Sequence, residues 1–278
     1  MGCIWALLGM SYERRSSRRA LRRTWISRKH HIDMFPKIHE ASVTFVTTAQ
    51  MIEVDRAMID DYGILLIQMM ENAGRNLAHL ARVRFLRGEP AGKRVAVLVG
   101  VGGNGGGALV CARRLRTWGA NVEVFVTKPD DQLAEIPRHQ LGIARVMNIP
   151  IHIGAPPVDT AFDLVVDGII GYSLQGAPRG TAADMIRWAA AQPAPVLALD
   201  APSGLDTTTG STFDPVIRAT ATMTLALPKE GLRVESVREN VGELYLADIS
   251  VPPELYAEPA LQFEVSALFS QSDIIQVV

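Results

Sequence analysis

Short apolar runs alternate with helical segments along most of this chain of 278 residues, and this alternation restricts the fold more than any other feature. The runs RVAVLVG, NVEVFVT, FDLVVDG and PVLALD contain few polar residues, and helical patterns lie between them. Strands that are apolar on both faces belong to a parallel sheet that helices cover on both sides. The pattern therefore predicts one doubly wound α/β domain, whose ligands would bind beyond the carboxyl ends of the strands.

The first 40 residues differ from the rest in charge. They contain nine Lys or Arg and three Asp or Glu, a net charge of +6, whereas residues 41–278 contain 19 basic and 26 acidic residues, a net charge of −7. Basic tails are usually solvated, so we predict a disordered basic extension over residues 1–40, or an over-long start whose true first residue is Met34. An organelle transit peptide is the alternative. We predict a single domain over residues 41–278.

Composition excludes some classes of partner. The acidic body argues against a nucleic-acid partner, because phosphate backbones require a basic surface. The apolar stretch at residues 1–10 is far shorter than a membrane span, so no membrane partner is expected. The two cysteines cannot form a disulfide framework and fit a reducing compartment. We therefore expect a cytoplasmic protein.

A glycine-rich stretch, GVGGNGGG at residues 100–107, lies between an apolar run and a helical segment. A tight turn needs one or two glycines, so six in eight residues predict that something comes very close to this backbone. The stretch satisfies the dinucleotide-binding pattern G-x-G-x-x-G. However, the next apolar run ends in Thr127 and Lys128, where a dehydrogenase requires an acidic residue. No Lys-Ser/Thr pair follows the glycines, which excludes a P-loop.

Two carboxylates, Asp167 and Asp200, end apolar runs and are the candidates for chemistry. The chain order of an α/β-hydrolase requires a histidine after the nucleophilic serine, and no histidine follows Ser203. A carboxylate must therefore carry any proton that the site transfers. Asn104 and Ser203 would add neutral oxygen ligands near these carboxylates. A cluster with so few carboxylates suits a monovalent cation better than Ca²⁺.

Six segments resemble, in order and spacing, the NAD(P)H-hydrate epimerases, the YjeF N-terminal domain family. The resemblance runs from about Thr47 to Tyr256 and implies a three-layer α/β/α Rossmann-like sandwich with a mostly parallel sheet. It also implies an isomerase of metabolite repair, which interconverts the R and S epimers of hydrated NADH and NADPH (NADHX and NADPHX). The segments are ENAG (71–74), GVGGNGGG (100–107), VVDGIIG (165–171), LDAPSGLD (199–206), LPKEGL (227–232) and GELYLADISVP (242–252).

The resemblance assigns roles to individual residues. Asn104, Asp167 and Ser203 match the ligands of a potassium ion, K⁺. Asp200 matches the catalytic acid or base. The residues that match the substrate site are Gly103, Asn104, Gly105, Gly106, Gly107, Gly171, Tyr172, Ser173, Leu174, Gln175, Gly176, Ala177 and Asp200.

This chain departs from the family at two places. The glycine-rich stretch usually reads GxGNNGGDG, and here Gly103, Gly107 and Ala108 replace the first Asn, the Asp and the last Gly. A Gly-Thr-Gly sequence usually opens the loop after Asp167, where this chain has Gly171, Tyr172 and Ser173. The alternative function is therefore a catalytically weak nucleotide-binding or protein-interaction member of the same fold.

Two partners are expected from the resemblance besides the small-molecule substrate. The dehydratase domain that is often fused to bacterial members does not follow the matched region. We therefore expect a separate NAD(P)H-hydrate dehydratase to act in sequence with this chain. A second copy of the chain, in a homodimer, is the other expected partner.

Overall fold

One sheet of nine strands forms the centre of residues 35–278, the part of the chain that the computed structural model describes. Its strand order is β1-β9-β8-β7-β6-β5-β2-β3-β4, and every neighbouring pair is parallel except β8 and β9. The strands are β1 (Lys37–Ile38), β2 (Arg94–Val99), β3 (Asn121–Val126), β4 (Ile151–Ile153), β5 (Leu164–Gly168), β6 (Val196–Leu199), β7 (Ala221–Leu225), β8 (Glu243–Ala247) and β9 (Ile274–Val277).

Helices cover both faces of this sheet, which confirms the predicted fold class. The valines of β2, such as Val97, pack into the core beneath α1 to α4, whereas Ala96 and Leu98 pack into the core beneath α5. Both faces of the strand are therefore buried, which is why its sequence is apolar without alternation. The helices are α1 (Thr48–Asp60), α2 (Leu66–Leu80), α3 (Gly103–Thr117), α4 (Glu135–Val146), α5 (Gly180–Ala190), α6 (Arg238–Val241) and α7 (Pro253–Tyr256).

The fold begins earlier than the predicted boundary after residue 40. Lys37–Ile38 pair with β9, and the ring of Phe35 is buried against Tyr245 and His79. Residues 35–40 thus belong to the body because they complete one edge of the sheet and its core. The predictions of disorder, targeting or a start at Met34 lie outside the described residues. No helix within residues 35–278 is long and apolar enough to cross a membrane.

The strand order reverses at β2, and this reversal locates the crevice where a ligand can bind. β2 pairs with β3 on one side and with β5 on the other. The chain leaves β2 through α3 toward β3 and β4, and then returns to β5 on the opposite side. The connections after β2 and β5 therefore diverge, which opens a crevice at the carboxyl ends of these strands.

Candidate active site

Close contacts of the chain with itself account for several of the glycines. A Cβ atom on Gly100 would lie 1.8 Å from the carbonyl oxygen of Ile169, and one on Gly105 would lie 2.2 Å from that of Gly100. A Cβ on Gly74, in the ENAG segment of α2, would lie 2.3 Å from the carbonyl oxygen of Gly107. At these positions the close neighbour is therefore the protein backbone itself, which only glycine permits.

The predicted loop from Gly103 to Gly107 is the start of a helix. α3 begins at Gly103, directly after the N-cap residue Gly102, which has no side chain to cap the first turn. The amide groups of this turn and the positive end of the helix dipole lie at the crevice beside β2. This corner of the site is thus suited to an anionic group.

Asp167 at the end of β5 lies at the bottom of the site, fully buried. Its carboxylate accepts hydrogen bonds from the Ile169 amide (3.1 Å), the Ser203 amide (2.8 Å) and the Ser203 hydroxyl (2.7 Å). Burial raises the pKa of Asp167 to about 6, although these three hydrogen bonds act in the opposite direction. Within residues 35–278, no Lys, Arg or His side chain forms an ion pair with this carboxylate.

Gly171 passes between the side chains of Asn104 and Asp200. A Cβ atom on Gly171 would lie 3.2 Å from Asn104 Oδ1 and 2.9 Å from Asp200 Oδ2, so a larger residue would separate these groups. The Asn104 Nδ2 atom is buried and has no hydrogen-bond partner within residues 35–278. Because the two ends of an amide are assigned from their surroundings, an oxygen can equally occupy this position. An unpaired amide here indicates a site that is built to bind something.

Asp200 forms a buried ion pair with Lys229. The two side chains are 4% and 0% exposed, and Lys229 Nζ donates to Asp200 Oδ1 at 2.6 Å. Lys229 also donates to the Thr224 hydroxyl at 3.3 Å and to the Leu225 carbonyl at 3.0 Å. Asp200 follows β6 with a φ of 65°, a conformation that is uncommon outside glycine but that Asp and Asn tolerate best. The strained backbone and the ion pair together fix the position of the carboxylate.

Tyr172 connects Asp200 to helix α1. Its amide donates to Asp200 Oδ2 at 2.9 Å, and its hydroxyl donates to Asp55 Oδ2 through a short hydrogen bond. The ring of Tyr172 also lies 5.6 Å from Lys229 Nζ, within range of a cation–π contact. Burial raises the pKa of Asp55, and burial together with the nearby Asp55 charge raises the pKa of Tyr172. Asp55 and Asp200 therefore lie at opposite ends of the Tyr172 residue.

A cavity of about 210 Å³, here named the site cavity, is bounded by these groups. It brings together six of the residues that the sequence predicted for the substrate site, with Asp167 and Ser203 in the hydrogen-bonded layer adjoining them. Its lining consists of Met51, Asp55, Leu66, Met70, Gly103, Asn104, Gly171, Tyr172, Ser173, Asp200, Leu225, Lys229 and Ile249.

The remaining predicted residues do not line the site cavity. Gly105, Gly106 and Gly107 are buried within the first turns of α3. Leu174, Gln175, Gly176 and Ala177 form the loop after Ser173, in which Leu174 is partly buried and the others are exposed. A role for these residues in substrate binding stays a prediction.

Sequence reasoning missed Lys229 and Asp55. Lys229 lies in the quoted segment LPKEGL, and a lysine directly after an apolar run that ends at the crevice is a signal that could have been used. Asp55 lies four residues after Met51 on α1, and both residues line the site cavity. The helical spacing alone does not distinguish Asp55 from the exposed acids of the same helix, such as Asp60.

The fold and the site define a class, namely a Rossmann-like α/β protein with a buried Asp–Lys pair in a cavity beside the switch point of its sheet. Residues 66–231 match the family described as YjeF-related protein N-terminus. An NAD(P)H-hydrate epimerase from Dehalogenimonas lykanthroporepellens is 40% identical over 221 residues, which cover 80% of this chain and 88% of that protein. The chain therefore belongs to the YjeF N-terminal domain family, among the NAD(P)H-hydrate epimerases, which are isomerases.

Two further comparisons agree with this membership. A bifunctional NAD(P)H-hydrate repair enzyme from Moorella thermoacetica is 37% identical over 220 residues, which cover 76% of this chain but 41% of that longer protein. The crystal structure of yeast YNL200c superimposes with a TM-score of 0.71 at 24% identity, covering 84% of this chain and 100% of that one. The likeness to the yeast protein concerns the fold. The family that the sequence segments indicated is thus confirmed.

Proposed function

We propose that the site cavity epimerises hydrated NADH or NADPH and that the buried Asp200–Lys229 pair carries the chemistry. The observation that supports this most directly is the ion pair itself, because a protein buries two charges only with a strong compensating arrangement. The pair lines a cavity at the position where ligands bind in sheets of this type. Its presence favours a working epimerase over a member that binds nucleotide without turnover.

Asp200, and not Lys229, is the group that can contact the substrate. A lysine ammonium has three N–H donors, and Lys229 directs them to Asp200, Thr224 and Leu225. The second oxygen of Asp200, Oδ2, accepts one amide hydrogen bond from Tyr172 and retains lone-pair capacity. Lys229 therefore fixes and balances the carboxylate, and Asp200 exchanges the proton with the substrate.

The reaction inverts a carbon that bears a hydroxyl group beside the ring nitrogen. Asp200 passes a proton, which the ammonium of Lys229 supplies, to the hydroxyl oxygen; the C–O bond breaks, and water leaves with the electron pair of that bond. The nitrogen lone pair forms a C=N bond to the same carbon, which stabilises the resulting cation. Water then adds its oxygen to the opposite face, the C=N electrons return to nitrogen, and one proton of that water passes to a base at that face, while solvent returns a proton to the Asp200–Lys229 pair.

The residues beneath the cavity fit a potassium ion. Asp167 is a buried carboxylate without a cationic partner among the described residues, and the neighbouring Ser203 and Asn104 supply neutral oxygen atoms. Residues 35–278 contain no group of three or more His, Cys, Asp or Glu that could hold a metal ion, so a site rich in carboxylates is not formed there. A bound K⁺ would supply a positive charge against Asp167. We propose Asp167, Asn104 and Ser203 as its ligands.

The site cavity accommodates one end of a dinucleotide. Its volume of about 210 Å³ is below the ~300–1,000 Å³ typical of pockets that enclose drug-sized ligands, so it fits the hydrated ring alone. The start of α3 lies at its rim and is suited to the phosphates, which favour helix N-termini. An apolar groove between α2 and α4 adjoins the cavity and shares Gly103 and Leu66 with it. We propose that the rest of the dinucleotide extends along this groove.

The bifunctional Moorella relative suggests how the product is used. That protein is named as a repair enzyme with two functions, and this chain covers 41% of it. We propose that a separate NAD(P)H-hydrate dehydratase consumes the epimer that this chain produces. Assembly as a homodimer and a cytoplasmic location stay predictions.

A coupled assay tests the proposed function. An epimer mixture is supplied with a dehydratase that accepts one epimer, and consumption beyond that epimer measures inversion by this chain. Asp200→Asn should lower the rate at least ~100-fold, since an amide cannot transfer the proton and Asn tolerates the positive φ. Asp184→Asn, an exposed change on α5, is the control and should leave the rate unchanged. A wild-type protein that does not invert either epimer would contradict the proposal.

A further inference from the structure

Inversion through loss and return of water requires proton transfer on both faces of the substrate ring. The departing hydroxyl needs a proton on one face, and the incoming water must release a proton on the other. A single carboxylate fixed by an ion pair, as Asp200 is, can reach one face of a ring that fills the cavity. A second proton-transfer group is therefore needed across the cavity from Asp200.

Asp55 is the other carboxylate that lines this cavity. It lines the same cavity as Asp200, and Tyr172 links the two, because its amide donates to Asp200 and its hydroxyl donates to Asp55. The hydrogen bond from Tyr172 uses Oδ2 of Asp55. Its other oxygen, Oδ1, makes no hydrogen bond with any residue of the described chain, which leaves it available to a ligand.

On the proposed function, we propose that Asp55 is a second catalytic residue, which transfers the proton on the face of the hydrated ring opposite Asp200. Tyr172 is a positioning residue that holds both carboxylates. In one direction Asp200 passes a proton from the Lys229 ammonium to the departing hydroxyl, and Asp55, in its ionised form, takes a proton from the incoming water. In the other direction the roles exchange, and solvent returns the net proton. Burial raises the pKa of Asp55, with the Asp200 charge adding to this effect, whereas Tyr172 and Lys229 oppose it. A carboxyl with a raised pKa is better able to act as an acid near neutral pH.

Isotope exchange on each separate epimer distinguishes this role from a structural one. Each purified epimer is incubated with enzyme in H₂¹⁸O, and mass spectrometry follows ¹⁸O uptake while chromatography follows inversion. The wild-type protein should invert both epimers with uptake of one ¹⁸O atom. Asp55→Asn should lose inversion at least ~100-fold. It should still exchange the hydroxyl of one epimer without inversion, because Asp200 can expel and return water on its own face. Asp200→Asn should show the reciprocal pattern, with exchange limited to the other epimer.

Two further variants complete the experiment. Tyr172→Phe removes the hydroxyl that holds Asp55 but keeps the amide that binds Asp200, so it should slow exchange on the Asp55 face more than on the Asp200 face. Asp60→Asn makes the same chemical change on an exposed turn of α1 and should match the wild-type protein.

Several outcomes would overturn the inference. These are inversion by Asp55→Asn within tenfold of the wild-type rate, equal loss of exchange from both epimers in a folded Asp55→Asn protein, and wild-type inversion without ¹⁸O uptake. A wild-type protein that inverts neither epimer would overturn the proposed function and this inference with it. If the wild-type protein inverts the epimers but the Asp55→Asn variant gives one of the contrary results above, the inference alone is overturned and the proposed function stands.

Discussion

Replacing Lys229 by Met tests the central ion pair. Lys229 is fully buried, and its Nζ lies 2.6 Å from Asp200 Oδ1. Without the ammonium, Asp200 retains hydrogen bonds from the Tyr172 amide and, at 3.4 Å, from the Thr224 hydroxyl, but no cation balances its charge. Removing one partner of a buried pair typically costs about 3–5 kcal/mol, because it leaves a charge in a medium that solvates it poorly.

This cost predicts a large change in a thermal measurement. A domain of this size loses roughly 2–4 °C in melting temperature for each kcal/mol, so Lys229→Met should melt about 6–20 °C below the wild-type protein. The double variant Asp200→Asn/Lys229→Met removes both charges. It should be more stable than the sum of the two single effects indicates, because neither charge then remains without a partner.

Urea unfolding of the wild-type protein, the two single variants and the double variant gives the free energies for this cycle. Arg218→Met, which breaks an exposed pair with Glu239 at 3.0 Å, is the matched control and should cost no more than about 1 kcal/mol. A cost below about 1 kcal/mol for Lys229→Met, or additivity of the two single changes within ~0.5 kcal/mol, would refute the reasoning.

Three further predictions concern the ion site, the second carboxylate and the first strand. Potassium should raise the melting temperature more than sodium at equal ionic strength, since an ion that binds the native state stabilises it. Asp167→Asn should abolish this difference. Equal melting temperatures of the wild-type protein in both salts would contradict the proposed potassium site. Asp55→Asn should raise the free energy of unfolding at pH 7–8 by about 1.4 kcal/mol per unit of pKa elevation, because ionisation of the buried carboxyl destabilises the wild-type protein. This gain should shrink as pH falls through the raised pKa. Urea unfolding at several pH values measures the difference, and a difference that does not depend on pH would contradict the prediction. Deleting residues 1–33 should leave the melting temperature unchanged. Deleting residues 1–40 removes β1 and buried Phe35 and should lower the free energy of unfolding by about 1.5–3 kcal/mol or more. Equal melting temperatures of the two truncated proteins would show that β1 contributes nothing to stability.

The central layers of the fold could be predicted from sequence because their physical signal is strong. Strands that are buried on both faces must be apolar throughout, and the glycines, prolines and caps between them mark their ends. The capping box at Thr47 and Gln50 is one example, since a Thr followed three residues later by a Gln marks a helix start, and α1 begins there. The edge strand β1 and its neighbour β9 have no such signal. β1 has two residues and β9 has four, and their pairing depends on contacts between the two ends of the described chain.

The convergence of Asn104, Asp167, Asp200 and Ser203 could be expected because each lies at or after the carboxyl end of a strand of a parallel sheet. Such positions share one edge of the sheet, and these four meet because β2, β5 and β6 are neighbouring strands. The partners of these residues could not be found in the same way. Lys229 contacts Asp200 across a separation of 29 residues, and Asp55 contacts Tyr172 across a separation of 117 residues. Contacts between residues so far apart in the chain are not encoded in local spacing.

The glycine-rich stretch shows why one sequence signal can have two physical causes. A glycine indicates that something approaches the backbone, but the signal does not identify what approaches. Gly100 and Gly105 are required because β2, β5 and α3 touch backbone to backbone, whereas Gly103 lines the site cavity. The two roles are connected. The close packing at Gly100 and Gly105 brings the start of α3 to the end of β5, which places Asn104 beside Gly171 and so forms one side of the site. Glycines that never touch the substrate therefore determine the geometry of the groups that we propose to bind it.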